Sequence, residues 1–240
     1  MSSSDIYKSK DWITEKAFIK KDDYKAMYEQ SISKPDEFWF EQGQRLDWFT
    51  PYTKVRDYSY EKDDLYIKWY EDGELNASYN CLDRHIEKNA DKIAVIWEGD
   101  DPSNSRKITY QELLTEVCKF SNGLKSLGVK KGDRVTIYMP MIPEAAIAML
   151  SCARIGAVHS VVFGGFSPEA LAGRLEDCDS KYIITADEGV RGGKTIPLKE
   201  NVDKAISKIE DFKKCVVVKR TGNSINWDSS IDHWYDDLVS

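Results

Sequence analysis

The sequence predicts an α/β fold, a mostly parallel sheet flanked by helices, preceded by an aromatic-rich helical N-terminal extension. From residue 77 onward, short β-branched runs alternate with amphipathic helical patterns, an alternation that builds a parallel sheet covered by helices. Before that point Trp12, Trp39, Trp48 and Trp69 stand among many charges without such alternation. The composition, 41% hydrophobic and 31% charged with 7 prolines in 240 residues, is that of a globular chain able to bury a core. Residues 1–75 are therefore assigned to the extension and 76–240 to the α/β portion.

In the extension, "KDDYKAMYEQSIS" and "PDEFWFEQGQRLDWF" have helical patterns. Pro35 suits the first turn of the second, where its missing N–H costs nothing, and the aromatics after it can anchor the segment against another surface. In the α/β portion "KIAVIWEG" reads as a strand and "YQELLTEVCKFSNGLKSLG" as an amphipathic helix ending at Gly128. "DRVTIYM" is the next strand, and "IPEAAIAMLSCARIG" a helix begun by Pro143 and closed by Gly156. Then follow the strand "AVHSVVF", the helix "SPEALAGRLEDCDS", the strand "KYIITA", the helix "PLKENVDKAISKIE", the strand "KKCVVVKR" and a last helical pattern, "IDHWYDDLVS".

Several function classes are excluded by composition. A net charge of −7 argues against nucleic acid as a partner, since duplex binders carry a basic surplus. The most apolar stretch is interrupted by Arg154 and His159, so no membrane span is expected, and the polar start lacks the apolar core of a signal peptide. The five cysteines are odd in number, widely spaced and without a nearby histidine set, which reads as reduced thiols in a cytoplasmic protein with no metal site. His159 lies inside an apolar strand and reads as buried and hydrogen-bonded; His85 and His233 fall in helical patterns. No Ser-His-Asp or Cys-His arrangement is legible, and no catalytic residue is nominated.

Two loops carry the chemistry. "DEGVRGGK" leaves the carboxyl end of "KYIITA", the end of a strand beyond which ligands bind in open α/β sheets. Gly192 and Gly193 let backbone approach a ligand closely, Arg191 offers a bidentate fork and Lys194 a point charge, a set suited to phosphate. Pro197 fits the first position of the following helix, whose free N–H groups and positive dipole end would meet the same anion. It is not a Walker A loop. The second loop, "VVFGGFSPEA", has Ser167 as N-cap with Pro168 next, and Phe163 and Phe166 flank Gly164 and Gly165. On residue types alone, the first loop reads as a solvated turn and the second as a tight turn with its phenylalanines in the core.

Over nearly the whole chain, however, these segments resemble the AMP-forming acetyl-CoA synthetases of the adenylate-forming acyl-CoA synthetase superfamily. The residues carrying the resemblance are "ASYNCLDRHIEKNADKIAVIWEGD", the run from "ITYQELL" to "GGFSPEAL", and "ITADEGVRGGKTIPLKENVDKAI". It implies conversion of acetate and ATP to acetyl-AMP and pyrophosphate, then attack by the CoA thiol to give acetyl-CoA and AMP. It also implies that Arg191, Gly192, Gly193 and Lys194 contact the phosphates of the CoA nucleotide, with Phe163, Gly164 and Gly165 lining the same site. The family often has arginine where Lys194 stands, so the fork is lost there and the charge kept. Propionyl-CoA and acetoacetyl-CoA synthetases share much of the pattern, and "EGVRGGKTIPLK" favours acetate.

The family's Ser/Thr/Gly-rich phosphate loop ending in Pro-Lys-Gly and its catalytic lysine do not occur in residues 1–240. The resemblance thus implies an incomplete part of the large N-terminal domain of an adenylate-forming enzyme, with Mg²⁺ and ATP sites outside this stretch and no acetate activation by the stretch alone. Uncovered sheet edges are expected to favour self-association. From a different class, a non-catalytic CoA- or nucleotide-binding module also accounts for the missing loop.

Overall fold

The computed structural model describes residues 9–240. Its first unit ends at Leu75 and its second runs from Asn76 to Ser240.

The first unit begins with helices α1 (Asp11–Lys16), α2 (Lys21–Ser33) and α3 (Pro35–Gly43), the last with Pro35 in its opening turn. The helical expectation fails further on. β1 (Arg56–Glu61) and β2 (Asp64–Trp69) form an antiparallel hairpin around Lys62 and Asp63, with strand-favouring tyrosines in β1 and Tyr66, Ile67 and Trp69 in β2. The aromatics pack on one another: Trp39 lies edge-on to Trp69 at 5.5 Å, and Tyr52 meets Trp48 at 4.9 Å and Tyr70 at 4.6 Å. The Tyr52 hydroxyl donates to the Phe40 carbonyl at 2.6 Å, which satisfies its polar end.

The second unit opens with α4 (Ala77–Cys81) and α5 (Asp83–Asn89). β3 (Ile93–Glu98) and β4 (Ser105–Thr109) follow; β3 is the expected strand, but it pairs antiparallel with β4 and stays outside the main sheet. α6 (Tyr110–Ser126) starts at a reciprocal cap in which Thr109 accepts the Glu112 N–H and Glu112 accepts that of Thr109. Then come β5 (Arg134–Met139), α7 (Pro143–Ile155), β6 (Val158–Phe163), α8 (Pro168–Asp177) and β7 (Tyr182–Ala186). Gly156 closes α7 in the left-handed region at φ 74°, a conformation that favours glycine. A short hairpin, β8 (Gly189–Arg191) and β9 (Lys194–Ile196), precedes α9 (Leu198–Ile206) and β10 (Lys214–Val218). The final "IDHWYDDLVS" divides into β11 (Asp232–Trp234) and α10 (Tyr235–Val239), so His233 lies on a strand rather than a helix.

Five parallel strands form the main sheet in the order β11-β10-β7-β5-β6. α6, α7 and α10 pack together, as do α8 and α9. Every residue of β7 is buried, as a central strand covered on both faces requires. β6 is an edge: Val158, His159 and Val161 are exposed, so the reading of His159 as buried fails because, among the described residues, the strand has no neighbour on that side. From β5 the chain moves to one side of the sheet to form β6, whereas from β7 it moves to the other side to form β10, so β5 and β7 flank a topological switch point.

All five cysteines are unpaired. Cys81 is exposed, Cys118 and Cys178 are half-buried, and Cys152 and Cys215 are buried. Burial pushes the Cys152 thiol up to about 12 and raises that of Cys215 as well. Among the described residues no helix is long and apolar enough to cross a membrane.

Candidate functional site

The carboxyl ends of β5, β6 and β7 converge on the first turn of α9. Leu198 is buried there, and the chain leaving each strand passes close to it. A Cβ on Gly164 would stand 3.1 Å from the Met139 carbonyl oxygen and 3.6 Å from Leu198 Cδ2, and one on Gly189 would meet Leu198 at 3.4 Å and Pro140 at 3.6 Å. Small residues at these two positions let three strand ends meet around one leucine, at the crevice where the switch point directs ligands.

The segment "VRGGKT" folds as the β8–β9 hairpin, with Arg191 and Lys194 as cross-strand partners around the two-residue turn Gly192-Gly193. Both glycines have positive φ, 56° and 74°, as a type I′ turn demands. The glycine pair thus has a conformational reason beside the expected one. The turn uses their conformational freedom, and the Gly192 N–H already donates to Asp100 Oδ2 at 2.9 Å. Pro197 sits one position earlier than expected, at the N-cap of α9, because Lys194–Ile196 belong to a strand.

Directly paired residues project from the same face of a hairpin, so Arg191 and Lys194 share one. Both are exposed, and neither makes an ion pair among the described residues. The Arg191 guanidinium lies 5.6 Å from the centroid of the Phe163 ring, a cation–π contact that joins the two loops singled out in the sequence. Phe163 is 58% exposed and Phe166 38%, and their rings meet edge-on at 5.9 Å. They are therefore not core residues, as the residue types alone had indicated. The Phe166 carbonyl accepts the buried Tyr138 hydroxyl at 2.8 Å, and Asn201 Nδ2 donates to the same hydroxyl at 3.3 Å, which pins the glycine loop to β5 and α9. Ser167 caps α8 as expected, accepting the Ala170 N–H.

Neighbouring groups were not legible beforehand. Asp187, buried just beyond β7, accepts the N–H groups of Arg220 (2.8 Å) and Gly222 (2.7 Å) and, more weakly, Thr221 (3.2 Å), so it ties the loop after β10 to the base of the hairpin. Arg220 then stacks 5.3 Å from the Trp97 ring, adding a second guanidinium to this end of the sheet. The sequence held a faint signal for Asp187, a carboxylate directly after an all-apolar strand. For Asp100 it held none, because "GDDPSN" has the composition of any turn.

The arrangement can bind an anion: two unpaired cations on one hairpin face, one of them stacked on an aromatic ring that a planar group can share. Among the described residues no three His, Cys, Asp or Glu side chains are grouped to hold a metal ion.

Comparison with known proteins matches residues 82–237 to the family described as AMP-binding enzyme, and residues 24–81 to the family described as acetyl-coenzyme A synthetase N-terminus. The acetyl-coenzyme A synthetase of Parvibaculum lavamentivorans is 60% identical over 92% of this chain and 34% of its own length. Those of Shewanella halifaxensis and Aeromonas hydrophila are 56% and 57% identical over 100% of this chain and 37% of their own length. The chain thus spans about a third of the length of these curated relatives. A solved structure, the acetoacetyl-CoA synthetase from Streptomyces lividans, superposes with a TM-score of 0.80 over 95% of this chain and 35% of that one at 23% identity, a likeness of fold.

Proposed function

Because this chain belongs to the AMP-binding enzyme family, we propose that it is part of an AMP-forming acetate–CoA ligase and supplies one wall of the CoA nucleotide site. In the proposed reaction acetate attacks the α-phosphate of ATP to give acetyl-AMP and release pyrophosphate. The CoA thiol then attacks the acetyl carbonyl and AMP leaves. Acetate is favoured over propionate and acetoacetate by the 56–60% identity to acetyl-CoA synthetases along this chain. Mg²⁺ would neutralise the ATP phosphates in the intact enzyme, but the described residues include no grouping to hold it. The adenylation loop and catalytic lysine of the family are likewise not among residues 1–240, so this chain alone is expected to leave acetate unactivated. Five unpaired thiols support a cytoplasmic location.

The observation that carries the CoA assignment is the contact between Arg191 and Phe163. It brings the paired cations Arg191 and Lys194 beside the loop of Gly164 and Gly165 at the switch point. In this reading Arg191 and Lys194 hold a phosphate of the CoA nucleotide, Gly192 and Gly193 set the turn that presents them, and Phe163, Gly164 and Gly165 border the nucleotide. The test compares CoA with 3′-dephospho-CoA in the intact ligase. The 3′-phosphate is expected to improve the CoA KM by about tenfold, as charge-assisted contacts do, and Arg191→Ala or Lys194→Ala is expected to erase most of that preference. Equal KM values for the two coenzymes in the unaltered enzyme would remove the role given to both cations. The open β6 edge further supports association between copies of this chain.

A further inference from the structure

The β8–β9 hairpin has three residue pairs, and among the described residues a Cβ added at Gly192 or Gly193 would find no atom within 4 Å. An isolated two-stranded hairpin of that length has little stability of its own, yet it must present two cations at a fixed place. In a type I′ turn the N–H of the first central residue is not used by the turn, and here that group, on Gly192, donates to Asp100 Oδ2 at 2.9 Å.

Asp100 stands on a firm mount. It lies in the loop between β3 and β4, where the Gly99 N–H donates to the Asn104 carbonyl at 2.8 Å and the Asp101 carboxylate accepts both the N–H and the hydroxyl of Ser103. The β3–β4 hairpin is itself fastened over the carboxyl end of the sheet. Trp97 Nε1 donates to the Met141 carbonyl at 2.7 Å, Arg220 covers the Trp97 ring, and Arg106 pairs with Glu144 in the first turn of α7 at 2.7 Å.

We infer that Asp100 is a positioning residue for the coenzyme site: through the Gly192 amide it fixes the tip of the β8–β9 hairpin and so places Arg191 against Phe163 and Lys194 beside it. This rests on the reading of that hairpin as the CoA phosphate site. Because Asp100 acts on the hairpin and not on the adenylation centre, its loss alters coenzyme binding and spares the first half-reaction.

The experiment uses the intact ligase carrying Asp100→Ala, Asp100→Asn and Arg191→Ala. It measures KM for CoA, kcat, and acetate-dependent ATP–pyrophosphate exchange without CoA. Asp100→Ala is expected to raise the CoA KM about fivefold, the net effect of one lost hydrogen bond at an exposed site, with kcat and exchange within twofold. Asp100→Asn keeps an oxygen acceptor for the Gly192 N–H and is expected to restore KM to within twofold. An unchanged KM in Asp100→Ala beside a raised KM in Arg191→Ala overturns this inference and leaves the CoA site standing. Exchange that falls together with CoA binding in Asp100→Ala reveals a general structural loss and overturns it too, as does Asp100→Asn behaving like Asp100→Ala. An unchanged KM in Arg191→Ala removes both the CoA reading and the role of Asp100.

Discussion

Replacing Lys199 by methionine in α9 is expected to be strongly destabilising. The Lys199 side chain is 1% exposed, and its ammonium lies 2.5 Å from Asp203 Oδ1, 3.0 Å from Asp232 Oδ2 and 3.4 Å from the Asn226 carbonyl. Asp232 is equally buried, and its Oδ1 has no hydrogen-bond partner, nor has Asp203 Oδ2. Without the ammonium, Asp232 keeps the Asp228 N–H at 2.8 Å and the neighbouring Cys215 thiol, neither of them a cation, against the desolvation of its charge. Breaking a buried pair in this way costs about 3–5 kcal/mol, whereas methionine fills most of the lysine stem, so little is added for a cavity. Asp203, on the surface side of the cluster with 28% of its side chain exposed, can turn to water. The double variant Lys199→Met with Asp232→Asn is therefore expected to recover all but about 1–2 kcal/mol, the range of an imperfectly paired buried amide. Urea unfolding followed by circular dichroism measures both, with the m-value held as a check on the two-state assumption. The same variant separates a pH effect. Burial alone would lower the Lys199 ammonium, but its hydrogen bonds to Asp203 and Asp232 outweigh that and hold it above 10.5. Its folded-state value is raised, so its contribution is fully present below pH 10.5 and is lost as pH rises through that higher value. The unaltered protein should lose Tm there more steeply than Lys199→Met. A cost below 1 kcal/mol for Lys199→Met, or a double variant no better than the single one, would refute this account of the cluster.

Gly165→Ala places a Cβ 2.5 Å from the Phe163 ring, which is exposed enough to turn aside; the CoA KM is expected to rise about threefold or more through the loss of one cation–π partner, with Tm within about 2 °C, and an unchanged KM would show that Phe163 plays no part. Multi-angle light scattering of this chain at increasing concentration should show association through the open β6 edge, and introducing lysine at Val161 should suppress it; a monomer throughout refutes the proposed association.

Four of the five parallel strands were legible because each was a short β-branched run between helices that began or ended on a residue with a mechanism: Pro143 and Gly156 bracket α7, and Ser167 caps α8; β11, with the sequence Asp-His-Trp, has no such run and read as helix. What escaped was pairing between distant segments. "KIAVIWEG" has the same composition whether it joins a parallel sheet or pairs with Ser105–Thr109, and the six-residue connection 99–104 is too long to give the two-residue turn signal of a hairpin. "VRGGKT" offered the glycine pair of a type I′ turn, but three-residue strands are too short to show an alternation. His159 looked buried because an edge strand and a central strand share the same β-branched residues; position in the sheet decides exposure, and position is not local. The candidate site was legible as residues, Arg191 and Lys194 with the Phe163 loop. Their meeting through a ring contact, and the carboxylates Asp100 and Asp187 that brace them, depend on tertiary structure.

The graded burial of the five thiols turns the chain into its own stopwatch. An alkylating reagent can label Cys81 at once, whereas Cys152 and Cys215 have neither an accessible surface nor a usable thiolate while the sheet is closed. Each label on those two positions therefore records one opening event. Cys152 on α7 reports on the side of the switch point facing β6, and Cys215 on β10 reports on the other. Equal labelling rates would mean that the two halves of the sheet open as one cooperative body, and unequal rates would show which half lets go first.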